Sequence, residues 1–124
     1  MHAGWQKSAV LFAGLGTSVA VLLAVVAHAQ DPGAVRQFTV GGHKYAFAPS
    51  AIEVQRNDLV KITFKAEDIP HSSTIDEYRI AKRAGAGQTV TFEFRADQPG
   101  TFRFYCNLTQ DDGCKNMSGQ LHVR

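Results

Sequence analysis

The chain has 124 residues, a formal net charge of +2 and 44% hydrophobic residues. Its charges are scattered in mixed sign with no block of one kind, which argues against a nucleic-acid or polyanion partner. Both of its 2 cysteines lie near the C-terminus.

The first segment reads as an export signal. Lys7 is the only charged side chain in residues 1–8, and residues 9–26 are apolar apart from Thr17 and Ser18. Ala27-His28-Ala29 then fits the small-x-small pattern of a signal-peptidase site, so residues 1–29 are expected to be a signal peptide cut after Ala29. The apolar run exceeds the usual signal core of about 7–15 residues. It approaches the roughly 17–25 that span a bilayer, so an uncleaved anchor helix is the alternative. Either way the remainder is expected to be periplasmic or secreted, touching a membrane only through that anchor. Residues 30–36, with Asp31-Pro32-Gly33, read as a linker, and residues 37–124 as one domain with a modest core.

From Gln37 the pattern is that of a β-protein. Gln37-Phe38-Thr39-Val40 alternates and Gly41-Gly42 reads as a turn. Tyr45-Ala46-Phe47 alternates again until Pro49, and Ile52-Glu53-Val54-Gln55 is a short strand before an Arg56-Asn57-Asp58 turn. Leu59–Phe64 places Val60, Ile62 and Phe64 on one face, and Gln88–Phe94 does the same with Val90, Phe92 and Phe94. Residues 76–87 are the least strand-like and read as a long connection with one helical turn. Asp97-Gln98-Pro99-Gly100 is a strong turn signal before Thr101–Cys106, and Leu121 and Val123 close the chain. Short strands with turns every ten or so residues predict an all-β sandwich or barrel.

Chemistry concentrates in the run Cys106–Met117, which carries two thiols and a thioether on one loop between strands. Soft sulfur donors suit copper, above all Cu(I), and a buried thiolate needs a metal or cation to neutralise it. Of the histidines after residue 29, His122 alternates with Leu121 and Val123 and so faces solvent. His43 follows the two glycines and also reads as solvated. His71, behind the rigid Ile69-Pro70, is the remaining imidazole candidate. Against the metal reading stands a disulfide, because two cysteines eight positions apart in an oxidising compartment pair readily.

The order Phe47-x-Pro49-x-x-Ile52-x-Val54, Asp58-x-Val60-x-Ile62-x-Phe64, Ile69-Pro70-His71-Ser72, Pro99-Gly100-Thr101-Phe102-x-Phe104-Tyr105-Cys106 and Met117-x-Gly119 resembles cupredoxins. It is similar above all to the copper domain of cytochrome c oxidase subunit II and its stand-alone relatives. The resemblance covers about residues 37–124 and implies a Greek-key β-sandwich. It implies His71, Cys106 and Met117 as copper ligands. The oxidase loop reads Cys-x3-Cys-x3-His-x2-Met. Here the second cysteine position holds Gln110 and the histidine position holds Cys114, while Met117 keeps register. A dinuclear site needs a second bridging thiolate, so the expected site holds one copper ion, Cu(I) or Cu(II), on His71, Cys106, Cys114 and Met117. Glu77 is a reserve ligand, because Ile75-Asp76-Glu77-Tyr78 is similar to the carboxylate-bearing segment of red copper proteins in the same superfamily.

The expected function is therefore one-electron transfer or Cu(I) carriage with a redox or copper-transfer protein partner. The protein is expected to be a monomer and not an enzyme. The alternative is a metal-free binding or assembly module stapled by a Cys106–Cys114 disulfide.

Overall fold

The computed structural model describes residues 33–124, together with Gly14 and Gly16 of the preceding segment. The signal peptide or anchor expected over residues 1–29 falls outside the described residues. Among the described residues, no helix is long and apolar enough to cross a membrane.

The domain is the all-β sandwich expected. Nine strands run β1 (Val35–His43), β2 (Ala46–Ala48), β3 (Ala51–Val54), β4 (Leu59–Ala66), β5 (His71–Ile75), β6 (Ile80–Ala84), β7 (Thr89–Arg95), β8 (Gly100–Tyr105) and β9 (Ser118–Val123). One sheet has the order β2-β1-β4-β7 and the other β3-β9-β8-β5-β6. The pairs β1/β4 and β3/β9 are parallel and the remaining pairs antiparallel.

Period-two patterning builds the core. Val60, Ile62, Phe64 and Ala66 of β4 turn inward, as do Phe92 and Phe94 of β7 and Leu121 and Val123 of β9. Phe47 knits the two sheets at the site end. Its ring lies 6.0 Å from that of Phe64 and 5.1 Å from that of Phe104, the latter edge-on.

Two expectations need correction. Gly41 and Gly42 do not turn; they continue β1 and pair with β4 and β2. A Cβ on Gly42 would lie 3.1 Å from the Phe64 ring and 3.3 Å from Cδ2 of His71, so both rings would have to shift to admit one. The connection expected over residues 76–87 contains the helical turn, a 3₁₀ turn at Asp76–Tyr78, but also strand β6. β6 lies at a sheet edge and exposes Ala81, Lys82 and Arg83 between buried Ile80 and Ala84, so its apolar signal is too short to stand out.

Candidate functional site

His71 opens strand β5 and is 1% exposed. Its imidazole packs against the Gly42 backbone and is oriented by a carboxylate three residues earlier. Nε2 lies 2.7 Å from Oδ1 of Asp68. Asp68 also accepts the amide hydrogens of Lys44 and Ile69, each at 2.7 Å. Desolvation pushes this carboxyl upward, but the hydrogen bonds from the His71 ring and the two amides outweigh it and hold it well below the ordinary carboxylate range. An ionised carboxylate only accepts, so Nε2 carries the hydrogen, and in the neutral form of the ring Nδ1 is the nitrogen with the lone pair. That Nδ1 is buried and has no hydrogen-bond partner.

The next residue ties this strand to the sulfur loop. Ser72 donates its amide hydrogen to Sγ of Cys106 at 3.4 Å. Its hydroxyl donates to Oδ1 of Asn107 at 2.6 Å and accepts the Asn107 amide hydrogen at 2.8 Å. Cys106 follows directly after β8 and is 2% exposed. Its amide donates to the carbonyl of Met117 at 3.2 Å, and the Met117 side chain is wholly buried. Cys114 begins a 3₁₀ turn over Cys114–Asn116, and its Sγ accepts the Leu108 amide hydrogen at 3.2 Å. Tyr45 braces the loop from outside, its ring over Gly113 and its hydroxyl donating to Asp111 at 3.1 Å.

Cys106 and Cys114 are joined in a disulfide, the alternative raised from the sequence. Four of the five candidate ligands therefore gather at one end of the sandwich. His71 is linked to Cys106 through Ser72, Cys106 to Cys114 through the sulfurs, and Cys106 to Met117 through the backbone. Glu77 does not join them. It is exposed in the turn beyond the far end of β5, roughly 13 Å or more along the strand from His71.

The fit to copper rests on that orphaned Nδ1. A neutral imidazole whose other nitrogen is held by a carboxylate has the fixed orientation that a metal ligand uses. Reduced, Cys106 and Cys114 would add two thiolates and Met117 a thioether, a soft set. While the sulfurs are bonded neither is a thiolate. Among the described residues, no group of three or more His, Cys, Asp and Glu side chains is arranged to hold a metal.

Sequence reasoning missed Asp68, Ser72 and Asn107. The Asp68-x-x-His71 spacing carried the first, and the polar residues flanking His71 and Cys106 carried the others.

A family model described as a cupredoxin-like domain matches residues 16–120. No curated protein matches the chain. Among solved structures, the periplasmic domain of subunit II of cytochrome oxidase of Bradyrhizobium japonicum superposes with a TM-score of 0.65 at 13% identity, covering 75% of this chain and 86% of that one. Auracyanin A, a blue copper protein of Chloroflexus aurantiacus, gives 0.62 at 19% identity, covering 74% and 100%. The metal-binding domain of the Cu(I)-exporting P-type ATPase of Streptococcus pneumoniae D39 gives 0.60 at 18% identity, covering 75% and 97%. A chain of a heme-copper terminal oxidase dimer gives 0.63 at 17% identity, covering 72% of this chain and 65% of that one, just under two thirds of its length. At these identities the superpositions establish the shared fold.

Proposed function

The chain belongs to the cupredoxin-like family, and from that premise we propose that it is an exported protein that holds one copper ion at His71, Cys106, Cys114 and Met117 once its disulfide is open. The observation that carries the reading is the buried, unpartnered Nδ1 of His71, with Nε2 fixed by Asp68. An unpaired polar atom inside a core costs free energy unless it has a use, and a metal–nitrogen bond supplies one.

Copper bound there would supply a one-electron couple biased toward Cu(I) by sulfur ligation. The chain's own residues would do the rest. Asp68 orients His71, Ser72 holds Cys106 to the start of β5, and the packed core around Met117 keeps water out. The reading is a non-enzymatic one: electron transfer or Cu(I) carriage between protein partners outside the cytoplasm.

Anaerobic titration of the reduced chain with Cu(I), against a chromophoric chelator, tests this. One tight equivalent, weakened in His71→Ala and in Cys106→Ala, is expected. Addition of Cu(II) with visible and paramagnetic resonance spectra then separates a redox site from a carrier. Loss of the stoichiometric copper with both thiols demonstrably free would sink the reading.

A second reading is favoured by the disulfide itself. In a chain that exists only with Cys106 and Cys114 joined, the sandwich is a metal-free binding or assembly module. Thiol counting on protein isolated without reductant, together with copper content, separates the two.

A further inference from the structure

Asp112-Gly113 is the only Asp-Gly step in the chain, and the sequence has no Asn-Gly step. It lies in the loop between β8 and β9, within the span that the Cys106–Cys114 disulfide closes. An aspartate followed by glycine has a reaction of its own. The glycine main-chain nitrogen, with no Cβ to shield it, attacks the side-chain carbonyl carbon and closes an unstrained succinimide ring. In a folded chain this needs a carboxyl free to rotate and an acceptor for the hydrogen that the nitrogen loses.

Asp112 meets both conditions. Its side chain is 98% exposed, and its ion pair, 3.6 Å from Lys115, is with a side chain itself 72% exposed. Such surface pairs restrain little. The Gly113 amide hydrogen is already accepted by Oδ1 of Asp111 at 2.9 Å, the local bond that an aspartate makes to the amide two residues on. The other described aspartates are tied down. Asp58 is 3% exposed and accepts the amide hydrogens of Ala34 and Gln55. Asp68 is held by the His71 ring, Asp76 by the Tyr105 hydroxyl and Asp111 by the Tyr45 hydroxyl. Asp97 precedes Gln98, whose amide carries a Cβ beside it and donates to the Tyr78 hydroxyl at 3.2 Å.

We propose that Asp112 isomerises spontaneously in the folded chain, making it a site of covalent modification that loosens the sulfur loop. The Gly113 nitrogen bonds to Cγ of Asp112, gives up its hydrogen, and a carboxyl oxygen departs as water. Water then adds to one of the two ring carbonyls. Opening at Cγ restores aspartate. Opening at the main-chain carbonyl leaves the peptide running through the side chain, as isoaspartate. Nothing is oxidised or reduced, and the water lost is regained, so the mass is unchanged. This chemistry does not depend on copper, although it acts between two of the proposed ligands.

Isoaspartate adds one atom to the main chain, and the loop is held on every side. Its ends are joined by the disulfide. The Cys114 amide donates to the Asp111 carbonyl and the Asn116 amide to the Gly113 carbonyl, each at 3.1 Å. Gly113 lies against the Tyr45 ring, where even a Cβ would collide. The added atom therefore displaces Gly113 from the ring and breaks the Tyr45–Asp111 hydrogen bond that braces the loop.

The test ages the full chain, disulfide intact, at neutral pH and physiological temperature for several weeks. Peptide mapping with electron-transfer dissociation then separates isoaspartate from aspartate at equal mass. Isoaspartate is expected at residue 112 and not at Asp58, Asp76 or Asp97, together with a species one water lighter. Asp112→Glu keeps the charge but needs a larger ring, so it should not isomerise. Asp112→Asn should convert faster than the wild type, through the same ring with loss of ammonia. Unmodified Asp112 in the aged wild type, or isomerisation spread over all the aspartates, would overturn the proposal. The isomerised form, separated by chromatography, should unfold at a lower urea concentration than the fresh chain. An unshifted midpoint would show that the loop admits the added atom and would overturn the loosening.

Discussion

Asp68 reaches His71 across three residues of chain, its Oδ1 2.7 Å from Nε2, just before His71 disappears into β5. The carboxylate is itself about one-third exposed, while the imidazole it holds is 1% exposed. A surface charge thus sets the orientation and proton position of a ring inside the core.

The contact gives a signed pH dependence. Asp68 is held below the usual carboxylate value, so it contributes stability above the unfolded value of about 3.9 and loses it as pH falls toward the lower folded value. Urea unfolding of the wild type and Asp68→Asn should therefore differ most near neutrality, with the gap narrowing below about pH 4. A gap that stays constant from pH 7 to pH 2 would show that the charge is not what His71 uses.

The disulfide closes a loop of sequence separation 8. Removing it by Cys106→Ala with Cys114→Ala should lower the unfolding free energy by about 2–3 kcal/mol. Dithiothreitol should destabilise the wild type to a similar extent and leave the double variant unchanged. A wild type whose unfolding is unaffected by dithiothreitol would contradict the assignment.

Met117 is fully buried, so packing and ligation have to be told apart. Met117→Ala should cost about 2–5 kcal/mol by leaving a cavity. Met117→Leu conserves volume and should cost less than about 1.5 kcal/mol. The Leu variant is then the informative one: stable, yet with weakened Cu(I) binding after reduction. Unchanged binding in Met117→Leu would reduce Met117 to a core filler.

Gly113 has no room for a side chain. A Cβ there would meet the Tyr45 ring. Gly113→Ala should displace the ring, break the Tyr45–Asp111 hydrogen bond and cost about 1–3 kcal/mol. The hydrogen bond to Asp111 also raises the Tyr45 phenol above its ordinary value, first among its causes. A spectrophotometric titration should show one tyrosine moving back toward 10 in this variant, and an unmoved titration would mean that the ring stays in place.

The fold was legible where one face of a strand is buried and the other wet. β4, β7 and β9 announce themselves through Val60-Ile62-Phe64, Phe92-Phe94 and Leu121-Val123. β5 does not, because His71-Ser72-Ser73-Thr74-Ile75 is buried on both faces, mostly with polar side chains, and so shows neither alternation nor an apolar run. The neighbourhood of the candidate residues was legible in part: Cys106 touches Ser72, which follows His71, and its amide meets the Met117 carbonyl, at one end of the sandwich. The bond between Cys106 and Cys114 was not, because a thiol pair and a disulfide are spelled identically. Asp68 escaped for a similar reason: its position three residues before His71 matters only once the chain between them bends back.

The first strand carries a consequence for geometry at larger scale. Gly42, near its end, touches His71, while Val35 begins it seven residues away, roughly 23 Å distant on an extended chain. That far end is moored, because the buried carboxylate of Asp58 accepts the Ala34 amide hydrogen at 3.0 Å and the Gln55 amide hydrogen at 2.8 Å. Whatever precedes Gly33 thus joins the domain at the pole opposite His71. A tether at that pole would leave the His71 end of the sandwich facing away from it.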